Sequence, residues 1–206
     1  MSDEDWYRNK EWNEEIERNF FAKLKRARRK EQYLRIQAST LAKKHPNVAL
    51  LLLEQYFSLK DDFDNAQAFC DMATAYLAKG EVENAVDSYS KALAREAEFP
   101  NLKTDAYILY PLTIVENKLQ NQYQSANEVL DKHKERLMFP IDHFRWHAAK
   151  AMILLSLGDK QLASDHAVAA LDAAQIKKSG FRYHQKLGIV GREYKGVVNE
   201  LRAIYA

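Results

Sequence analysis

The sequence predicts an all-α fold of antiparallel helix pairs, and three observations predict it. Apolar residues recur at i, i+3, i+4 and i+7 along most of the chain. Helix breakers are scarce, with six Gly and four Pro in 206 residues, which disfavours an all-β protein rich in tight turns. One glycine, Gly80, separates two apolar stripes of helical period, as a left-handed helix terminus would. At roughly 150 residues per domain, the length suits a single domain with end pieces.

Composition removes several functional classes. Lys and Arg number 31 against 29 Asp and Glu, a net charge of +2. A bulk polycation and an acidic tail protein are both excluded. A hydrophobic content of 47% provides for a core. The single cysteine, Cys70, allows neither an internal disulfide nor a thiolate zinc site, which points to a reducing compartment. The N-terminus is acidic and aromatic, unlike a secretory leader. The apolar run VALLLL at 48–53 is far short of the ~20 residues of a membrane helix. A cytoplasmic protein is the expectation.

The elements follow in order. Over 13–30, Ile16, Phe20 and Leu24 form one stripe, with Glu14, Glu15 and Glu17 at the start. Lys25, Arg26, Arg28, Arg29 and Lys30 lie near its end, where cations complement the helix dipole. A second helix is expected over 31–43. His45 and Pro46 break the chain, and Pro46 suits a first helical position. Residues 47–59 are apolar almost all round, so that helix should be central.

The segment 64–98 is the most specific. Phe69, Met72, Ala73 and Tyr76 precede Gly80, and Ala85, Tyr89 and Ala92 follow it. Small residues let two helices approach and bulky ones fill the gaps. This pattern resembles a tetratricopeptide repeat: large, large, small, aromatic, turn glycine, then alanine, aromatic, alanine. Ala97 departs from it, since the family has proline there. One repeat cannot bury its own apolar face, so at least three are expected.

Degenerate copies flank it. Around Gly158 stand Ala151, Leu154, Ala163, Ala167 and Ala170, with His147 and Lys150 replacing large residues. Around Asn121, expected to be the left-handed turn residue, stand Tyr110, Ile114, Ala126 and Leu130. Around Lys44 stand Ala49, Leu53 and Tyr56. Turns at 44, 80, 121 and 158 are spaced by 36, 41 and 37 residues, against about 34 for the family. Helix pairs are therefore expected over 31–59, 64–98, 104–137 and 141–175. An irregular segment at 176–190 and a capping helix at 191–205 complete the chain. The opening DWYRNKEWNEEI is similar to that of bacterial proteins carrying this repeat.

The resemblance implies an α-α superhelix whose concave groove binds a protein or peptide. The implied groove positions are Gln67, Thr74 and Leu77, then Ile108, Val115 and Lys118, then Arg145, Met152 and Leu155. Cys70 and Thr74 stand where the chaperone-binding branch carries the first Lys and Asn of its carboxylate clamp, so no such clamp is expected. The groove is largely apolar and suits an amphipathic helix or an extended apolar peptide, unless the protein's own terminal helix fills it. The terminal helix could also pair two copies into a homodimer.

Other motifs are weaker. His143 and His147 are four apart, a spacing that suits two metal ligands, but no third ligand is evident and packing is the preferred reading. KLKRARRK at 23–30 carries six cations in eight residues. A nucleic-acid role for the basic 23–35 helix is the alternative function. GIVGREYKG at 188–196 lacks the Lys-Ser or Lys-Thr end of a phosphate loop and reads as a tight turn. No catalytic signature appears, and neither an enzyme nor a cofactor or metal is expected. The expectation is a non-enzymatic adaptor with a protein or peptide partner, and no membrane.

Overall fold

The computed structural model describes residues 5–59 and 63–205. All regular structure among them is helical, in adjacent packed pairs. The chain divides into two compact units, Met1–Ala106 and Tyr107–Ala206.

The first unit holds α1 (Glu14–Arg26), α2 (Lys30–Leu41), α3 (Pro46–Ser58), α4 (Asn65–Lys79) and α5 (Val82–Glu98). The Asn13 side chain caps α1, its Oδ1 accepting from the Ile16 N–H at 2.9 Å. The apolar stripe of α1 buries Phe20 and Leu24 against Leu34, Leu41, Leu53 and Tyr56. Each such side chain contributes about 1.5–3 kcal/mol on burial. Trp6 closes the end of this core, 5.4 Å from Phe20 and 4.9 Å from Tyr33 between ring centroids. In α4 and α5, Ala73, Ala85, Tyr89 and Ala92 are all buried, as close helix approach requires.

Three buried polar side chains of this unit, Gln37, Asp71 and Glu96, are well partnered, as burial demands. Fully buried Gln37 donates to the Asn9 carbonyl at 2.7 Å and accepts from the Asn9 N–H and Nδ2. Asp71 accepts from Arg35, Ser39 and Gln67, joining α2 to α4, while burial pushes its carboxyl up. Buried Glu96 accepts from the Thr104 N–H at 2.7 Å and the Thr104 hydroxyl at 2.6 Å. Those bonds close the irregular connection that follows α5.

The second unit holds α6 (Ala106–Glu116), α7 (Tyr123–Lys132), α8 (Pro140–Ser156), α9 (Lys160–Gln175) and α10 (Lys195–Tyr205). Ala148, Ala151, Ala163, Ala167 and Ala170 are fully buried, so α8 and α9 meet through small residues. Buried Lys150 of α8 donates to Asp131 at 2.5 Å and Asn127 at 2.7 Å on α7. The expected irregular stretch 176–190 has no regular helix. Gly188, with φ 68°, returns it to the start of α8, where its carbonyl accepts from the Ile141 N–H at 2.8 Å. A Cβ at Gly188 would collide with the Phe139 side chain, so the close approach requires glycine.

Three expectations change. The 13–30 helix stops at Arg26, and Ala27 is extended. The stripe of Phe20 and Leu24 is not continued at Arg28, so no buried side chain holds a further turn. The basic run therefore spans the end of α1 and the start of α2 rather than one helix. The central 47–59 helix leaves Leu51 58% exposed, so its apolar character exceeds what it buries. The left-handed residue after α6 is Lys118, with φ 56°, and Asn121 sits in a 3-10 turn at Gln120–Gln122. Pro111 lies inside α6, where it removes one N–H from the ladder.

Three helices nonetheless end alike. The N–H groups of Gly80 and Glu81 reach the carbonyls of Leu77 and Tyr76. Those of Lys118 and Leu119 reach Val115 and Ile114, and those of Gly158 and Asp159 reach Leu155 and Leu154. This is the paired bonding of a left-handed helix terminus. Backbone geometry repeats at 80, 118 and 158 although only two of the three are glycine.

Candidate functional site

The second unit contains a cleft of about 450 Å³ lined by α6, α8 and α10. Val115, Met152, Leu155, Ala203 and Ile204 give its apolar surface, and Lys118, Gln120, Tyr123, Ser156 and Glu200 its polar edge. Four implied groove positions, Val115, Lys118, Met152 and Leu155, thus share one cavity. They come from the ends of two helices that both finish in the turn just described.

The remaining groove positions are elsewhere. Ile108 is fully buried and serves the core. Arg145 donates from Nε to the Tyr194 hydroxyl at 2.7 Å and ties α8 to the turn that opens α10. Gln67, Thr74 and Leu77 belong to the first unit. There Gln67 donates to Asp71, Thr74 donates to the Cys70 carbonyl, and Leu77 is exposed.

The sequence allowed for the terminal helix at the groove, but not for which of its residues, Glu200, Ala203 and Ile204, reach the cleft. The spacing along α10 carries the signal: Val197 and Leu201 are buried, and Glu200, Ala203 and Ile204 form the next stripe. That stripe walls the cleft but does not fill it. Electrostatics there are strained. Burial and then the Glu200 carboxylate push the Glu116 carboxyl up, with Arg145 opposing. Burial and Glu200 likewise raise the Tyr123 phenol.

Lys118 has the only positive φ outside glycine among the described residues. A left-handed lysine costs about 1–2 kcal/mol relative to the ordinary helical region. Such strain is a feature of binding sites, where the surroundings hold the residue in place.

The partner of His147 is His166 of α9, not His143, with the two Nδ1 atoms 2.9 Å apart. Ring centroids are 5.0 Å apart, so the nitrogens face each other almost head-on. A metal ion between facing nitrogens needs about twice the 2.0–2.1 Å zinc–nitrogen bond. This gap holds a proton, with one ring donating Nδ1–H to the other. Burial first, then His166, push His147 down to about 4, and burial lowers His166. Among the described residues, no group of three or more His, Cys, Asp or Glu is placed to hold a metal ion.

Cys70 is buried, and desolvation pushes its thiol up to about 12, which makes it unreactive. Lys25, Arg26, Arg28, Arg29 and Lys30 are all exposed. The last three lie beyond α1, at the positive end of the α2 dipole, so dipole complementarity accounts only for Lys25 and Arg26. No described helix is long and apolar enough to cross a membrane. The chain matches no family model, no curated protein and no solved structure.

Proposed function

We propose that the protein is a non-enzymatic, cytoplasmic scaffold of tetratricopeptide type that binds a segment of a partner protein in the second-unit cleft. The observation that carries this reading is the convergence of Val115, Lys118, Met152 and Leu155 on one open, apolar cavity. The matched turns at 80, 118 and 158 support the repeat reading. An apolar floor with a polar edge suits an amphipathic helix, whose apolar residues enter while its backbone stays hydrogen-bonded. The α10 wall restricts the groove to a short stretch of partner, one or two helical turns.

Selection of peptides displayed on phage against the purified chain tests the proposal. Enriched peptides should carry apolar residues at i, i+3 or i+4. They should lose binding to Met152→Glu and Leu155→Glu and retain it for Leu51→Glu, an exposed apolar position of α3. Circular dichroism establishes that each variant is folded. Peptides that bind all three variants equally would refute the cleft as the site, and an absence of enrichment would refute the scaffold reading.

A further inference from the structure

On the other side of α10 lies a second cavity, of about 490 Å³, between the end of α9 and the start of α10. Its charged lining residues are Lys177, Arg192, Lys195 and Arg202, all cations and all exposed. Lys195, Val198, Asn199 and Arg202 stand at i, i+3, i+4 and i+7, so one stripe of α10 supplies half of the charge. None of the four cations has an acidic partner among the described residues. Lys44, Lys79, Lys91 and Lys150, in contrast, each pair with a carboxylate. Glu193 is not a lining residue, but its carboxylate lies against Gly191, which is, without an ion pair to the four cations.

The net charge of the chain is only +2, so four cations converging on one concavity are a local arrangement and not a consequence of composition. Four like charges around one concavity raise its local positive potential, which favours an anion there over the rest of the surface. The rest of the lining sets the shape of that anion. Leu171, Val190 and Val198 give an aliphatic wall with no aromatic ring, and Gln175 and Asn199 add neutral amides. Arg192 and Arg202 can each present a planar donor fork to tetrahedral oxygens. The volume falls within the range of small-molecule sites.

We propose that this cavity binds a phosphate monoester with an aliphatic body, the phosphate held by Lys177, Arg192, Lys195 and Arg202 and the chain lying on Leu171, Val190 and Val198. The site shares no lining residue with the partner cleft and stands independently of that reading.

Titration calorimetry with octyl phosphate on the full chain is the test. Saturable binding is expected, tighter than for inorganic phosphate, which lacks the aliphatic body. It should weaken by roughly tenfold or more in Arg192→Gln/Arg202→Gln, which loses two charge-assisted contacts. The charge-matched control Arg28→Gln/Arg29→Gln should bind as wild type. Sedimentation with phosphatidylcholine vesicles carrying phosphatidic acid separates the two sources of this chemistry. Binding to vesicles as well as octyl phosphate, both lost in the cavity variant, identifies a lipid headgroup. Binding of octyl phosphate alone identifies a soluble ester. The proposal is overturned by no saturable binding, by binding that survives in the cavity variant, or by equal loss in the control.

Discussion

The two long faces of α10 differ in chemistry although they share a backbone. One stripe, Glu200, Ala203 and Ile204, is apolar with an acidic group, and it meets α6 and α8 across a cleft. The other, Lys195, Val198, Asn199 and Arg202, is basic and faces the end of α9. Between them Val197 and Leu201 are buried and hold the helix in place. An eleven-residue terminal helix thus does more than cap a stack. Its buried stripe fixes two surfaces of opposite character, and neither exists unless α10 is docked.

The largest expected effect tests that dependence. Leu201 is fully buried, and Leu201→Ala should cost about 2–5 kcal/mol by lost burial and the cavity left behind. Urea denaturation gives the value, and hydrogen exchange should show α10 amides losing protection ahead of α8. If α10 exchanges no faster than α8, the two faces do not depend on this stripe.

Next come the matched turns. Gly80 has φ 76° and open space where a Cβ would stand, so Gly80→Ala should cost about 1–2 kcal/mol through backbone alone. Lys118→Gly should have the opposite sign, stabilising by up to about 1 kcal/mol because the left-handed strain is relieved. If melting temperatures move the same way in both variants, the two turns are not equivalent. If Lys118→Gly stabilises the fold while weakening peptide capture, the strain belongs to the cleft.

Tyr194→Phe isolates the tie between α8 and the approach to α10. It removes the 2.7 Å acceptor of Arg145 Nε, a loss of about 1 kcal/mol because water replaces it at a part-exposed site. The apolar and basic faces should respond together, which two binding titrations on one sample would measure.

The smallest effect at neutral pH concerns His147 and His166. Burial keeps His147 neutral in the fold down to about 4, whereas the unfolded chain takes up its proton near the ordinary value of about 6.5. The unfolded state binds more protons between those limits, so stability falls as pH falls through that window. It is unaffected above it. His147→Gln should flatten this slope in melting curves between pH 7 and 4. An unchanged slope would place the titration elsewhere.

Much of the fold was legible because helix pairs announce themselves locally. Gly80 and Gly158 adopt the left-handed φ that their positions after apolar stripes required. The break between His45 and Pro46 begins α3, and the stretch 176–190 is irregular as its composition suggested. The break after Arg26 was not legible. No glycine or proline marks it, and it arises because Arg28 brings nothing to the core. Lys118 was not legible either, since a residue without glycine's freedom takes φ 56° only when the surrounding turn compels it.

The candidate sites divide in the same way. Val115, Lys118, Met152 and Leu155 were named from the family resemblance, and they line one cavity. Glu200, Ala203 and Ile204 were not named, because sequence spacing defines the stripes of α10 but not which neighbour each stripe meets. The pairing of His147 with His166 follows the same rule: spacing placed His143 one turn away, while packing of α8 on α9 supplied the nearer ring. Sequence alone determined which residues share a helix face and where most helices end, since hydrophobic period and turn chemistry act over a few residues. Only the tertiary structure decided which faces meet, which lysine bears the strain, and which charges lack partners, because those depend on atoms far apart in the chain.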